Sequence, residues 1–126
     1  MPEKKLPPRL KKAFEAEQLV ADAMKNQGWQ ILSHNFRIVG AELDLVAQKG
    51  STLAIIEVKA RLKKPSSMAD AEAILTLRKR SAMQRGSLAY ISKFNLTPAT
   101  IRFDLAIVWG AKAPYAIEYI VNAQLG

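Results

Sequence analysis

The stretch AELDLVAQKGSTLAIIEVKAR, residues 41–61, decides how the chain is read. Apolar and polar residues alternate through 41–47, KGST supplies turn residues, and a second alternating run follows over 53–60. Strict alternation is the period of a strand, so the segment is expected to be a β-hairpin. Gly50-Ser51 suits a two-residue turn with glycine first, because that position needs positive φ. In this register Asp44 is expected opposite Glu57, and Glu42 opposite Lys59. A turn at Lys49-Gly50 would still leave Asp44 and Glu57 on one face, since only a slip by one residue inverts the side chains.

Charge sets the problem this hairpin poses. Ala54, Ile56 and Val58 make one face of the second strand wholly apolar, while Glu57 and Lys59 alternate with them. Opposed carboxylates repel, and a carboxylate in an apolar setting is costly unless it is paired or bound to a metal. Lys59 supplies one positive charge, and a structural ion-pair network would satisfy the same constraint. Glu17 adds a third acid: over Leu10–Gln27 the apolar residues fill one broad helical arc, and Glu17 falls inside it, with Arg37 as an alternative partner. Hard oxygen ligands that leave positions for water and phosphate suit Mg²⁺ or Mn²⁺.

Composition narrows the class. The chain has 126 residues, no cysteine, a formal net charge of +8 and a sequence pI near 9.9. That length fits one domain, expected over 10–126 after an extended basic tail at 1–9. The lack of cysteine removes disulfides and thiolate metal sites and is compatible with a reducing compartment. No window approaches a membrane span and no secretory leader is evident, so a cytoplasmic protein is expected. The positive charge suits phosphate binding, nucleic acid above all, although an anionic membrane surface or a basic interaction scaffold would also use it. Helix-turn-helix, zinc-finger and Gly-rich phosphate-loop signatures are absent.

Further strands are expected over 29–36, 100–110 and 115–121, and one long helix over about 70–92 with a break possible at Gly86. The order αβββαββ indicates a mixed α/β domain. Lys79 lies on a stripe with Leu75, Ala82 and Met83, which suits either a snorkelling lysine or a phosphate contact. Arg78, Arg80 and Arg85 are expected on a solvated face. Arg102 and Asp104 are expected to form a structural pair, and His34 to lie at an edge or in a loop.

The extended segment GWQILSHNFRIVGAELDLVAQKGSTLAIIEVKAR, with Ala16-Glu17, Lys79 in LRKR, RFD at 102–104 and the closing VNAQ, resembles the YraN-like family of uncharacterised bacterial proteins. That family is similar to Holliday-junction resolvases and to PD-(D/E)XK, restriction-endonuclease-like nucleases. The resemblance implies a restriction-endonuclease-like fold and metal-dependent phosphodiester hydrolysis of structured or branched nucleic acid, most simply DNA. It also implies a homodimer if the action is resolvase-like. Asp44, Glu57 and the Val58 carbonyl would hold Mg²⁺ or Mn²⁺, Lys59 would support the attacking water or the developing charge, and Glu17 would match an additional helix carboxylate. Arg37, Arg61 and Lys79 are candidate nucleic-acid contacts. Ala16 and Ala41 replace family glycines and no proline precedes Asp44, but every ligand position is kept. A non-cleaving nucleic-acid-binding module of the same fold is the alternative.

Overall fold

In the computed structural model, which describes residues 7–123, the hairpin forms with the expected turn. Strand β2, Ala41–Lys49, pairs antiparallel with β3, Thr52–Arg61, and Lys49 faces Thr52 across Gly50 and Ser51. Gly50 has φ of +59° while Ser51 keeps negative φ, the requirement of a Gly-first turn. Strand β1, Gln30–Ile38, flanks β2 antiparallel. On the other side β4, Thr100–Trp109, lies parallel to β3, and β5, Ala116–Ile120, closes the sheet in the order β1-β2-β3-β4-β5.

A parallel pair needs a crossover. Helices α2, Met68–Glu72, and α3, Leu77–Phe94, supply it between β3 and β4. The single helix expected over 70–92 is therefore two, and the element order is αβββααββ. The break falls at residues 73–76 rather than at Gly86, because Thr76 adopts an extended conformation and its side chain accepts from the Lys79 N–H at 3.1 Å. A threonine N-cap starts a new helix where continuous propensity would run on. Ser67 caps α2 in the same way, its side chain accepting from the Asp70 N–H at 3.1 Å.

Helix α1, Pro8–Asn26, begins two residues inside the segment expected to be tail; residues 1–6, like Gln124 of VNAQ, lie outside the described residues. Proline fits a helix start because the missing N–H would have no partner there. Gly28, with φ of +92°, turns the chain at the other end, and the Trp29 N–H reaches back to the Met24 carbonyl at 3.0 Å.

The two faces of the sheet carry separate cores. Ala16, Val20, Ala21 and Met24 of α1 pack on Ala54, Ile56 and Val58 of β3, the apolar face read from the sequence. Met83 and Tyr90 of α3 pack with Leu43, Leu53, Ile55 and Leu105 on the opposite face. Each fully buried aliphatic side chain contributes about 1.5–3 kcal/mol. The apolar arc of α1 is narrower than its pattern suggested: Leu10, Phe14 and Leu19 are exposed. Their positions lie at or beyond the flanks of the stripe that Val20 and Met24 press on the sheet.

Gly86 is buried in the middle of α3 rather than breaking it. A methyl group there would come within 2.8 Å of Leu43 Cδ2 and 3.1 Å of Leu43 Cγ. The glycine therefore sets how closely α3 lies on β2, and so how far the side chains at its start reach across the sheet.

Candidate functional site

The β2–β3 ladder runs from Lys49↔Thr52 to Leu45↔Ile56 and is not continued to Asp44, although β3 stays paired to β4 as far as Arg61↔Trp109. The expected pairings of Asp44 with Glu57 and Glu42 with Lys59 are thus not made. Asp44 takes over the role of a ladder acceptor: its Oδ2 receives the Val58 N–H at 2.9 Å. The two strands part at this point, and polar side chains from β2, β3, α1 and α3 enter the opening.

Glu57 is the centre of the cluster. Its side chain is 2 % exposed, and both Lys59 Nζ, at 3.3 Å, and Lys79 Nζ, at 3.2 Å, pair with its Oε1. Both ammonium groups meet that one oxygen at ion-pair distance, and among the described residues no other group does. Lys59 lies two residues beyond Glu57 on the same face of β3, as its alternation predicted. Lys79 arrives from the first turns of α3. Its stripe along the helix was legible, but its partner was not, because the α3 start is fixed by the Thr76 cap.

Burial raises the Asp44 carboxyl from its ordinary 3.8 to about 7, with the charges of Glu57 and Glu17 adding; the Val58 N–H and Lys79 act against the rise. Burial also raises Glu17. The Asn35 side chain opposes this through a hydrogen bond, and the charges of Glu42 and Glu57 reinforce it. Lys79 behaves conversely: burial alone would lower it, but the charge and contact of Glu57, with Asp44 and Glu42, hold it above its ordinary range. Four acids from three elements thus share one electrostatic field, and two lysines compensate it in part.

Other predicted residues fall at different distances from this cleft. Arg37, exposed, pairs with the half-buried Glu42 at 3.3 Å, and so does not serve Glu17. Arg61 is exposed and donates to the neighbouring Ala60 carbonyl, outside the cluster. His34 is exposed on the edge strand β1. Arg102 and Asp104 form the expected pair: Asp104 is fully buried and accepts from Arg102 Nε and Nη2, the Tyr119 hydroxyl and the Asn122 N–H. The guanidinium lies 4.8 Å from the centre of the Trp29 ring. A cleft of about 580 Å³ opens beside Arg102 near the β2–β3 turn, where Asp104 neutralises Arg102.

Arg80 is half-buried, whereas Arg78 and Arg85 lie on the solvated face expected of them. With Arg37, Lys79, Glu42 and Gly40 they line a groove of about 500 Å³ between the β1–β2 turn and the start of α3. The i, i+4, i+7 spacing of Arg78, Ala82 and Arg85 places them on one helical face, the signal that could have found them.

Among the described residues, no three His, Cys, Asp or Glu side chains gather closely enough to hold a metal by themselves. Asp44 and Glu57 are the pair that bears on such an ion. The buried Glu57 oxygen, met by two lysines, shares its field with the Asp44 carboxyl, which burial and then the Glu57 charge raise to about 7, and a dication would relieve both. Mg²⁺ is commonly held by one or two carboxylates with waters and substrate phosphates completing it. The residues therefore fit Mg²⁺ or Mn²⁺ and do not fit a closed cage.

Comparison with known proteins places this sequence in a wider group. The sequence model described as "Uncharacterised protein family UPF0102" matches residues 16–108, which span the cleft residues. A UPF0102 protein of Trichlorobacter lovleyi is 38% identical over 109 residues, covering 85% of this chain and 84% of that protein. One of Chlorobium chlorochromatii is 40% identical over 116 residues, covering 86% and 87%. Another, of Pelobacter propionicus, is 30% identical over 108 residues, covering 85% and 77%.

Proposed function

This chain belongs to the UPF0102 family, and from the carboxylate cleft it carries we propose that it is a Mg²⁺-dependent phosphodiester hydrolase of restriction-endonuclease-like fold, acting on structured or branched nucleic acid. The observation that supports this most is Glu57: a buried carboxylate at a strand opening, flanked by a second carboxyl on β2 and a half-buried lysine two residues further on. The mixed sheet with helices on both faces is compatible with that fold.

In this reading Asp44 and Glu57 hold the metal, with the Val58 carbonyl as a further oxygen donor. The bound ion would supply Lewis-acid polarisation of the phosphate and a more acidic water. The protein's own residues do the rest. Lys59, with its side chain 32 % exposed and Nζ 3.3 Å from Glu57 Oε1, stands between the buried carboxylate and solvent, where it supports negative charge as it develops on phosphorus. Glu17, whose carboxyl burial raises, would orient water from the α1 side. Water adds to phosphorus and one ester P–O bond breaks, leaving a phosphate monoester and a hydroxyl. A four-way junction would need two such sites, and therefore two copies of the chain.

A second reading has its own support. Lys79 reaches Glu57 as closely as Lys59 does, so two ammonium groups already compensate the buried carboxylate. A non-cleaving nucleic-acid-binding module would keep this network for structure alone. Mn²⁺ titration by calorimetry, together with a cleavage panel of duplex, single-stranded, flapped and four-way DNA, separates the two. Metal binding and metal-dependent cutting that both disappear in Glu57→Gln support the hydrolase. An absence of Mn²⁺ binding at millimolar concentration by the wild-type chain would leave the binding module.

A further inference from the structure

The groove between the β1–β2 turn and α3 does not belong to the metal-binding pair, yet it runs into the same cleft. Lys79 joins the two, lining the groove while its Nζ lies 3.2 Å from Glu57 Oε1. Glu42 also lines it and contributes charge to both Glu17 and Lys79. Four cationic side chains and one carboxylate line the groove, and with Lys79 set against Glu57 a local excess of two positive charges remains. Such an excess at close range favours a polyanion over an acidic side chain or a neutral ligand.

The cations are available in graded degree. Arg78 is exposed and makes no hydrogen bond or ion pair among the described residues. Arg85 is exposed, and its Nη2 contacts the Gly40 carbonyl only at a long 3.4 Å, which leaves most of its donor fork to face outward. Arg37 is 75 % exposed and shared with Glu42. Lys79 is committed to Glu57. Arg78 and Arg85, seven residues apart on α3, are two helical turns or about 10 Å apart along the axis. Successive or alternate phosphates of one strand lie within that reach.

We infer that this groove is the track for the sugar-phosphate backbone of one nucleic-acid strand, with Arg78 and Arg85 contacting phosphates adjacent to the one presented to Glu57 and Lys59. The contacts are to backbone, so they position the strand without reading its bases. The close packing of α3 on Leu43, permitted by Gly86, holds both arginines at a constant height above β2. The inference rests on the nucleic-acid reading of the cleft, but it concerns binding and is measurable without cleavage.

The test is equilibrium binding of fluorescently labelled duplex and four-way-junction DNA, followed by anisotropy across a salt series in EDTA. Arg78→Gln with Arg85→Gln is compared with Lys11→Gln with Lys25→Gln. The second pair removes the same charge from exposed positions of α1, which packs on the other face of the sheet. Each duplex phosphate contact contributes about 0.9 to the slope of log affinity against log salt. The groove pair should lower the slope by about 2 and the α1 pair by less than about 1, with unchanged thermal melting in both. Equal losses from the two pairs, or no loss from the groove pair, would overturn the track. If wild-type binding is strong and slope loss follows the groove pair while Glu57→Gln leaves all cutting unchanged, the track stands and the hydrolase reading falls. If the wild-type chain binds neither DNA at low salt, both fall.

Discussion

Replacing Asp44 by asparagine asks whether the cleft stores electrostatic strain that a cation would relieve. Asparagine keeps the size and the oxygen that accepts the Val58 N–H, and removes only the charge. Burial, Glu57 and Glu17 raise the folded-state carboxyl from 3.8 to about 7. Between those values the folded protein binds a proton that the unfolded chain releases, so Asp44 makes stability fall as pH rises, and the loss is complete above about 7. At 1.36 kcal/mol per tenfold change in proton affinity, the full cost is about 4 kcal/mol, of which roughly 2–3 kcal/mol accumulates between pH 5 and pH 8. In metal-free buffer, Asp44→Asn should therefore gain on the wild type by about that amount over this interval, read from urea unfolding at each pH with unchanged m-values. Excess Mg²⁺ should restore wild-type stability at pH 8 and leave the variant unmoved, since a ligand stabilises only the state that binds it. A difference between variant and wild type that stays flat from pH 5 to pH 8 would refute the reasoning.

Asp104→Ala should cost about 3–5 kcal/mol, because it strands Arg102, the Tyr119 hydroxyl and the Asn122 N–H around a fully buried position; chemical denaturation measures it. Gly86→Ala should destabilise by about 1–2 kcal/mol despite the better helix propensity of alanine, because the methyl must displace buried Leu43, and a Leu43→Ala partner substitution should offset part of that steric loss in a double-mutant cycle. Thr76→Ala should cost about 1 kcal/mol by removing the α3 cap.

What could be read in the sequence follows from which interactions are local. Alternation and a Gly-first turn carry their own geometry, so the hairpin and its register at Lys49↔Thr52 were legible. The family likeness was legible too, through the long segment around Asp44, Glu57 and Lys59, and its uncharacterised bacterial family is the level at which the comparisons bear it out. Local pattern could not show where β2 leaves β3, because that depends on a side-chain carboxylate taking a backbone N–H fourteen residues away. Nor could it show that Lys79 reaches Glu57, which requires the Thr76 cap to restart the helix and Gly86 to bring it close. The exposed Leu10 and Phe14 were misread for a related reason: a helical wheel shows direction, but not where the sheet beneath it ends.

Lys59 is the residue whose removal most directly separates a hydrolase from a structural network. The measurement is single-turnover cleavage of a four-way junction at saturating protein with Mn²⁺, comparing wild type, Asp44→Asn and Lys59→Ala. A hydrolytic cleft predicts cutting by the wild type, none by Asp44→Asn, and a rate for Lys59→Ala lower by about 10²–10³ with junction affinity retained. Equal rates from all three proteins would contradict it and assign any cutting to another site.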